Sequence, residues 1–247
     1  MKQAIIIGGT SGIGKELCRL LLKDKWALGI AGRNENALRE WVADYPGQVR
    51  TAVIDITSRD AAERLNVLIR ELGEIDLFVH CSGIGSQNMQ LEENIEVDTA
   101  RTNVEGFMRM VDAAYRYFRE RGRGHIAVIS SIAGTKGLGA APAYSATKRF
   151  QRHYIDSLDQ LAHLQNVGIQ FTDIRPGFVS TPLLGDGNHY PLLMEAPIVA
   201  AHILQAIYDK KRVATIDWRY RLLVFFWQLV PNWLWVRLPV ATRKDKK

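Results

Sequence analysis

Short apolar or β-branched runs alternate along this chain with longer stretches of helical period. The runs lie at 4–7, 27–31, 50–54, 77–81, 125–130, 168–174 and 212–216. Helical patterns fill the intervals at 15–22, 36–43, 59–72, 97–121, 143–164 and 197–208. Strands this continuously apolar are covered on both faces, and the helices between them supply the cover. The alternation predicts an α/β protein: a doubly wound parallel sheet of Rossmann type, with about seven strands and helices on both faces. No repeat, low-complexity linker or composition break precedes residue 209, so residues 1–217 read as one domain and 218–247 as a C-terminal apolar and basic appendix.

Composition changes this picture only at the C-terminal end. With 47% hydrophobic and 23% charged residues, the 247-residue chain is ordinary for a globular domain, which excludes a disordered one. Its net charge of +6 could suggest nucleic acid or an anionic surface. From Asp209 onward, however, ten basic residues face three acidic ones, while the preceding residues hold 22 basic and 23 acidic. The excess therefore belongs to the appendix. Cys18 and Cys81 cannot make a disulfide framework, and a reduced, cytoplasmic setting is the economical expectation. The apolar run at 4–7 is too short for a secretory signal. No apolar run reaches the length of a spanning helix; the nearest, 222–238, contains Gln228, Pro231, Asn232 and Arg237.

The first strand runs into Gly8-Gly9-Thr10-Ser11-Gly12-Ile13-Gly14, and a helix follows at once. Glycines at a strand-to-helix turn let backbone N–H groups and the helix N-terminus approach a pyrophosphate. The second strand ends in Gly32-Arg33, where a dinucleotide fold that takes NAD carries an acidic residue for the ribose 2′-hydroxyl. A glycine followed by an arginine suits a 2′-phosphate instead, so the expected cofactor is NADP(H). Asp55-Ile56, after the third strand, is placed either to meet the adenine or to cap the helix beginning near Ser58.

Tyr144 and Lys148 are four residues apart in a helical stretch and project from one face of it. Ser131 lies thirteen residues upstream, at the C-terminal end of a strand, and Asn103 sits within the long pattern at 97–121. With these in place, the chain resembles the short-chain dehydrogenase/reductase family over roughly residues 3–216. The motifs are Gly8-x-x-x-Gly12-x-Gly14, Asp55, Asn103, Ile129-Ser130-Ser131, Tyr144-Ser145-Ala146-Thr147-Lys148 and Arg175-Pro176-Gly177-Phe178-Val179-Ser180-Thr181.

The resemblance implies a catalytic tetrad of Asn103, Ser131, Tyr144 and Lys148. It implies cofactor contacts from Gly8, Thr10, Ser11, Gly12, Ile13, Gly14, Arg33, Asp55, Ile56, Gly83, Asn103, Tyr144, Lys148, Pro176, Gly177, Val179 and Thr181. Tyr144 would be the acid/base, and an unperturbed tyrosine near pKa 10 needs help at neutral pH. The expectation is that the Lys148 ammonium lowers it, while Ser131 donates to the substrate oxygen. Asn103 would kink its helix and hold a water of the proton relay. The long helices at 97–121 and 143–164 are the family's usual pairing surface, which implies a homodimer or homotetramer.

Two positions depart from the family pattern. Ile7 precedes the first glycine where the family has threonine, and His80-Cys81-Ser82-Gly83 replaces the usual Asn-Asn-Ala-Gly. The lost asparagine would have its hydrogen bonds supplied by Cys81 or by water. His80 reads as structural, Cys81 has no cationic neighbour in sequence to make it reactive, and no Cys, His and carboxylate cluster has metal-ligand spacing.

The stretch at 182–195 occupies the substrate-lid position, and its Leu183, Leu184, Leu192, Leu193 and Met194 carry no charge. The expected substrate is a lipophilic carbonyl or alcohol compound: a lipid, sphingoid base, steroid or lipid-linked sugar. Beyond it, four of the six tryptophans fall between Trp218 and Trp235, flanked by arginines and followed by Arg243, Lys244, Lys246 and Lys247. Pro231 divides the run into pieces too short to span a bilayer, and tryptophan with arginine marks an interfacial anchor on an anionic leaflet. An apolar hairpin closing the pocket and a subunit interface remain the alternatives. Nucleic acid is disfavoured, because the basic residues are interleaved with bulky aliphatics. Two further readings stand beside the lipophilic one: a reductase of small soluble carbonyls, and a dinucleotide-binding scaffold without chemistry.

Overall fold

The computed structural model describes residues 1–184 and 190–240. The lid tip at 185–189 and the basic terminus with Arg243, Lys244, Lys246 and Lys247 lie outside the described residues. In chain order the elements begin β1 (Gln3–Ile7), α1 (Gly12–Lys23), β2 (Ala27–Gly32), α2 (Glu35–Asp44), β3 (Val49–Val53), α3 (Ala61–Leu72) and β4 (Leu77–His80). Next come α4 (Glu93–Ala100), α5 (Phe107–Arg121), β5 (Arg123–Ile129), α6 (Pro142–Leu164) and β6 (Gly168–Arg175). The chain then forms β7 (Val179–Ser180), β8 (Met194–Glu195), α7 (Ala196–Tyr208), β9 (Val213–Thr215), α8 (Trp218–Leu229) and α9 (Asn232–Trp235).

Seven strands form one parallel sheet in the order β3-β2-β1-β4-β5-β6-β9, as the alternation predicts. Along β1 the side chains point to opposite faces in turn. Ile6 joins Leu28, Ile30 and Val79 beneath Leu17 and Leu21 of α1 and Val199 and Ile203 of α7. Ile5 and Ile7 join Phe78 and Val128 beneath Leu65 and Leu68 of α3, Phe107 and Met110 of α5 and Ile155 of α6. One sheet thus supports two cores. The strand order reverses between β1 and β4, and the carboxyl ends of the strands flanking such a reversal open a crevice.

The long helix expected at 97–121 is instead two helices joined by a π-helical turn, Arg101–Gly106. Asn103 is fully buried in that turn, and Gly106 lies so close to Ile56 that a Cβ there would sit 2.8 Å from Ile56 Cγ1. Thr99 is the one buried residue of α4, so no apolar stripe precedes the turn against which a break in periodicity could register. The two-residue pair β7–β8 was also beyond the pattern; it fastens the base of the lid segment through Val179–Met194 and Ser180–Glu195.

The appendix docks on the domain. Pro231 separates α8 from α9, and Tyr220 and Val224 of α8 are part of the first core. The Tyr220 ring packs on Gly177, where any Cβ would lie 2.2 Å from the ring. Its hydroxyl accepts from Phe178 N at 3.1 Å and donates toward Pro191 O at 3.0 Å and Leu192 O at 3.1 Å. Further along, Trp235 Nε1 donates to Gly137 O at 2.7 Å, and Lys136 Nζ donates to Val230 O and Asn232 Oδ1 at 2.9 Å.

Removing this tie has a measurable cost. Tyr220→Ala is expected to destabilise by about 3–5 kcal/mol, as for other large-to-small core changes, lowering Tm by about 6–15 °C for a domain of this size. Tyr220→Phe, which strands the Phe178 N–H, costs about 1–3 kcal/mol. Thermal unfolding by circular dichroism checks both, and an unchanged Tm for Tyr220→Ala would place α8 elsewhere.

Candidate active site

At the carboxyl end of β1 the glycine loop turns into α1. Gly8 has φ +88°, and a Cβ there would lie 2.8 Å from Ser82 N; a Cβ on Gly14 would lie 2.2 Å from Gly8 O. The loop therefore packs on the end of β4 with no room for side chains. Ser11 caps α1 with an extended backbone and no side-chain hydrogen bond. The first N–H groups of α1, which have no partner within the helix, point at the crevice as an anion site. Trp41, a residue the sequence gives no reason to connect with the loop, steadies it from α2 by donating Nε1 to Gly9 O at 3.1 Å.

Arg33 and Asp55 border the same crevice. The Asp55 carboxyl is held below its usual range, first by the Thr57 hydroxyl and then by the Thr57 N–H, with a smaller contribution from Arg33. Both Thr57 groups donate to Oδ1, at 2.7 and 2.9 Å. Asp55 thus closes a local turn rather than capping a helix, since α3 begins only at Ala61.

The crevice deepens into a cleft of about 780 Å³. Its lining includes Gly8, Thr10, Ser11, Gly12, Ile13, Gly14, Arg33, Asp55, Ile56, Gly83, Ser131, Tyr144, Lys148, Pro176, Gly177, Val179 and Thr181. Asn103 alone among the expected site residues lies behind the wall: a Cβ on Gly83 would be 3.2 Å from its Oδ1. Its side chain receives Ile84 N at 2.9 Å and donates to Ile84 O at 2.7 Å and Thr147 Oγ1 at 3.1 Å. The segment after β4 is therefore held by Asn103.

At the reactive end, the Ser131 hydroxyl accepts from Ala133 N at 3.1 Å and stands beside Tyr144 as a polar influence on its phenol. Lys148 Nζ donates to Ile129 O at 3.0 Å and to Gln151 Oε1 at 3.1 Å. It lies 5.7 Å from the centre of the Tyr144 ring. The expectation that Lys148 lowers the tyrosine needs correction. Burial pushes the Tyr144 phenol above its ordinary value, and Ser131 is what offsets it. The ammonium is turned onto Ile129 and Gln151, and burial brings it down to about 8 against the supporting charge of Asp173.

Asp173 is a feature that sequence reasoning missed. It is buried in β6, pairs with Arg175 at 2.6 Å, faces Arg152 at 3.9 Å and accepts from the Ser130 hydroxyl. An acidic residue in an apolar strand was the available signal. His80 is fully buried with its ring edge-on to Phe107, at 5.2 Å between centres. Burial first, and Lys148 second, push it down to about 3, so it stays neutral. Burial raises Cys81 to about 12, which leaves an unreactive thiol. Among the described residues, no group of three or more His, Cys, Asp or Glu side chains is arranged to hold a metal ion.

The comparisons agree with this geometry. The short chain dehydrogenase family profile matches residues 2–190. The chain belongs to that family. An uncharacterized oxidoreductase of Myxococcus xanthus is 30% identical over 240 residues, covering 94% of this chain and 93% of its own. Among solved structures, ElxO with NADP bound superposes at a TM-score of 0.78 with 21% identity, covering 90% of this chain and 99% of that one. The 3-ketoacyl-(acyl-carrier-protein) reductase of Brucella melitensis complexed with NADH superposes at a TM-score of 0.76 with 21% identity, covering 87% of this chain and 96% of that one. This short-chain dehydrogenase is thus an oxidoreductase with the family's sheet and cleft.

The buried histidines make stability depend on pH. His80 near 3 and His125 near 4 both titrate below an unfolded histidine, so the unfolded state takes up protons first as pH falls. Their contribution is complete above about pH 6.5 and is lost below it. Between about pH 7 and 5 the unfolding free energy should fall by about 2 kcal/mol for each histidine. Urea denaturation of His80→Leu, with a loss smaller by about that share, is the check; an identical loss would count against a buried neutral His80.

Proposed function

We propose that this short-chain dehydrogenase uses NADP(H) to exchange a hydride with the carbonyl or secondary alcohol of a lipophilic compound. The carrying observation is one continuous cleft with Ser131, Tyr144 and Lys148 on its floor and Leu183, Leu184, Leu192, Leu223, Trp227 and Val240 on its walls. Among the described residues, the charged ones lining it are Arg33, Asp55 and Lys148, and none of these faces the substrate body beyond the reactive end. A substrate that fits brings apolar surface and one polar oxygen.

The glycine loop and the α1 N-terminus would hold the pyrophosphate, Asp55 and Ile56 the adenine side, and Pro176 to Thr181 the nicotinamide end. The NADP-bound ElxO and the NADH-bound Brucella reductase support a nicotinamide cofactor. The 2′-phosphate preference rests on Arg33 and on Gly32, which stands where a fold that takes NAD carries an acidic residue for the ribose 2′-hydroxyl. The bound nicotinamide would supply or accept the hydride.

In the reducing direction Tyr144 gives its phenolic proton to the substrate oxygen. Burial favours the neutral phenol and so keeps that proton in place at neutral pH. Ser131 steadies the same oxygen by a hydrogen bond as negative charge develops. Lys148, held by Ile129 O and Gln151 Oε1, would hold the nicotinamide ribose hydroxyls with its ammonium.

Outward from the cleft, α8 and α9 expose Trp218, Leu222, Phe225, Phe226, Leu229 and Trp233. Arg219, Arg221 and Arg237 stand among them. No described helix is long and apolar enough to cross a membrane. Exposed aromatics among arginines suit the headgroup region of an anionic leaflet, and the inner face of α8 is the cleft wall. The enzyme of this reading works in the cytoplasm, held at a membrane face from which a lipid reaches the cleft. The second reading, in which a second copy of the chain covers this surface, rests on the same exposed face.

Three measurements test the proposal. Arg33→Ala should raise the KM for NADPH about 10–100-fold, the worth of a charge-assisted phosphate contact, with NADH little changed. Tyr144→Phe should lower kcat by about a thousandfold while NADPH still binds. The protein should co-sediment with phosphatidylglycerol vesicles and not with phosphatidylcholine vesicles, and Phe225→Ser/Phe226→Ser should abolish it. No binding of NADP(H), or full turnover in Tyr144→Phe, contradicts the enzyme reading. Dissociation of an oligomer by the double variant, without vesicle binding in the parent, favours the second-copy reading.

A further inference from the structure

Gln151 sits one turn beyond Lys148 on α6, and its side chain is wholly inaccessible to solvent. A buried amide persists only where its groups find partners. Here Oε1 accepts from Lys148 Nζ at 3.1 Å, and Nε2 donates to Asn103 O at 2.9 Å. One side chain therefore bridges the ammonium of Lys148 and the main-chain carbonyl of the π turn. That is the place where the family resemblance leads one to expect a relay water on Asn103.

We propose that Gln151 is a positioning residue of this enzyme, clamping the Lys148 ammonium to the Asn103 carbonyl in place of solvent. The inference rests on the oxidoreductase reading above. With two of its three N–H groups committed to Ile129 O and Gln151 Oε1, the ammonium has one left for the cleft. Its direction is set by the other two. An amide donates and accepts but does not hand on a proton without passing through an unfavourable tautomer. The proton that restores Tyr144 after turnover then enters from the cleft side and not by way of Asn103.

The groups facing Lys148 are few. Tyr144 lies on its own helix, His80 and Cys81 at the end of β4, and Asp173 on β6, with Arg152 and Arg175 around that carboxylate. His80 is neutral and Cys81 is a thiol, so Asp173 is the only charge among them that supports the ammonium. Gln151 Oε1 is its partner by direct contact.

Two substitutions separate positioning from packing. Gln151→Leu keeps the volume and offers no hydrogen bond. Gln151→Ala opens a polar space beside Lys148 Nζ and Asn103 O that a water can enter. If Gln151 only filled space, alanine would be the worse variant. The clamp predicts the reverse order: kcat with a long-chain methyl ketone falls at least about 30-fold in Gln151→Leu and less than about fivefold in Gln151→Ala. Should the leucine variant not fold, Gln151→Met, unbranched and similar in length, replaces it.

A second readout needs no turnover. In the cofactor-free protein, the Lys148 side-chain resonance followed by NMR should titrate near 8 in the parent and in Gln151→Ala, and clearly lower in Gln151→Leu. Wild-type turnover with the ketone and NADP(H) binding are measured alongside. Their absence counts against the proposed function. Their presence with leucine equal to wild type in both readouts, or with alanine below leucine in kcat, overturns the clamp alone.

Discussion

The reactive end of this protein is organised by one constraint: a polar group taken out of water must be given a partner. Asn103 shows it most fully. Its side chain satisfies both backbone groups of Ile84 and reaches Thr147, while its carbonyl receives the amide of Gln151. Those bonds join the segment after β4, the π turn and α6, which are the three walls around Lys148. Gly83 and Tyr144 are held at the cleft as a result. An ammonium buried among them is tolerable because Ile129 O, Gln151 Oε1 and the charge of Asp173 all favour it.

The apolar constraint operates on the other side of the cleft. A parallel sheet buried on both faces leaves only the carboxyl ends of its strands open for a ligand. In this chain α8 closes part of that opening. Tyr220 anchors it over Gly177 and ties Phe178 to the end of the lid segment, so the inner residues Leu223 and Trp227 become cleft wall. The same short helix turns Phe225 and Phe226 outward. One face of this element thus lines the cleft, and the other meets solvent.

Much of this was legible in the chain. Apolar runs identify the five central strands because a doubly covered strand tolerates little else, β-branched residues mark the edge strands β3 and β9, and the glycine loop is identified by its place after β1. Tyr144, Lys148 and Ser131 meet because helical spacing and a strand end put them together. Other features left no local mark. The π turn follows a helix with no apolar stripe to mark a break, and β7–β8 is only two residues long in each strand. Trp41, Gln151 and Asp173 act through partners 32, 48 and 43 positions away, a separation that periodicity and short motifs do not register. The state of Tyr144 was misjudged for a related reason. Proximity in sequence put Lys148 beside it, but the fold gives the ammonium other acceptors and leaves burial to set the phenol.

The central claim is that a proton-donating tyrosine works at the end of a cleft that selects by apolar contact. Its most direct test is NADPH-dependent kcat/KM across a series of methyl ketones of increasing chain length. Each methylene buried is worth about 0.8 kcal/mol, so kcat/KM should climb about two- to fourfold per carbon until the cleft is filled. A flat or falling series would contradict the account.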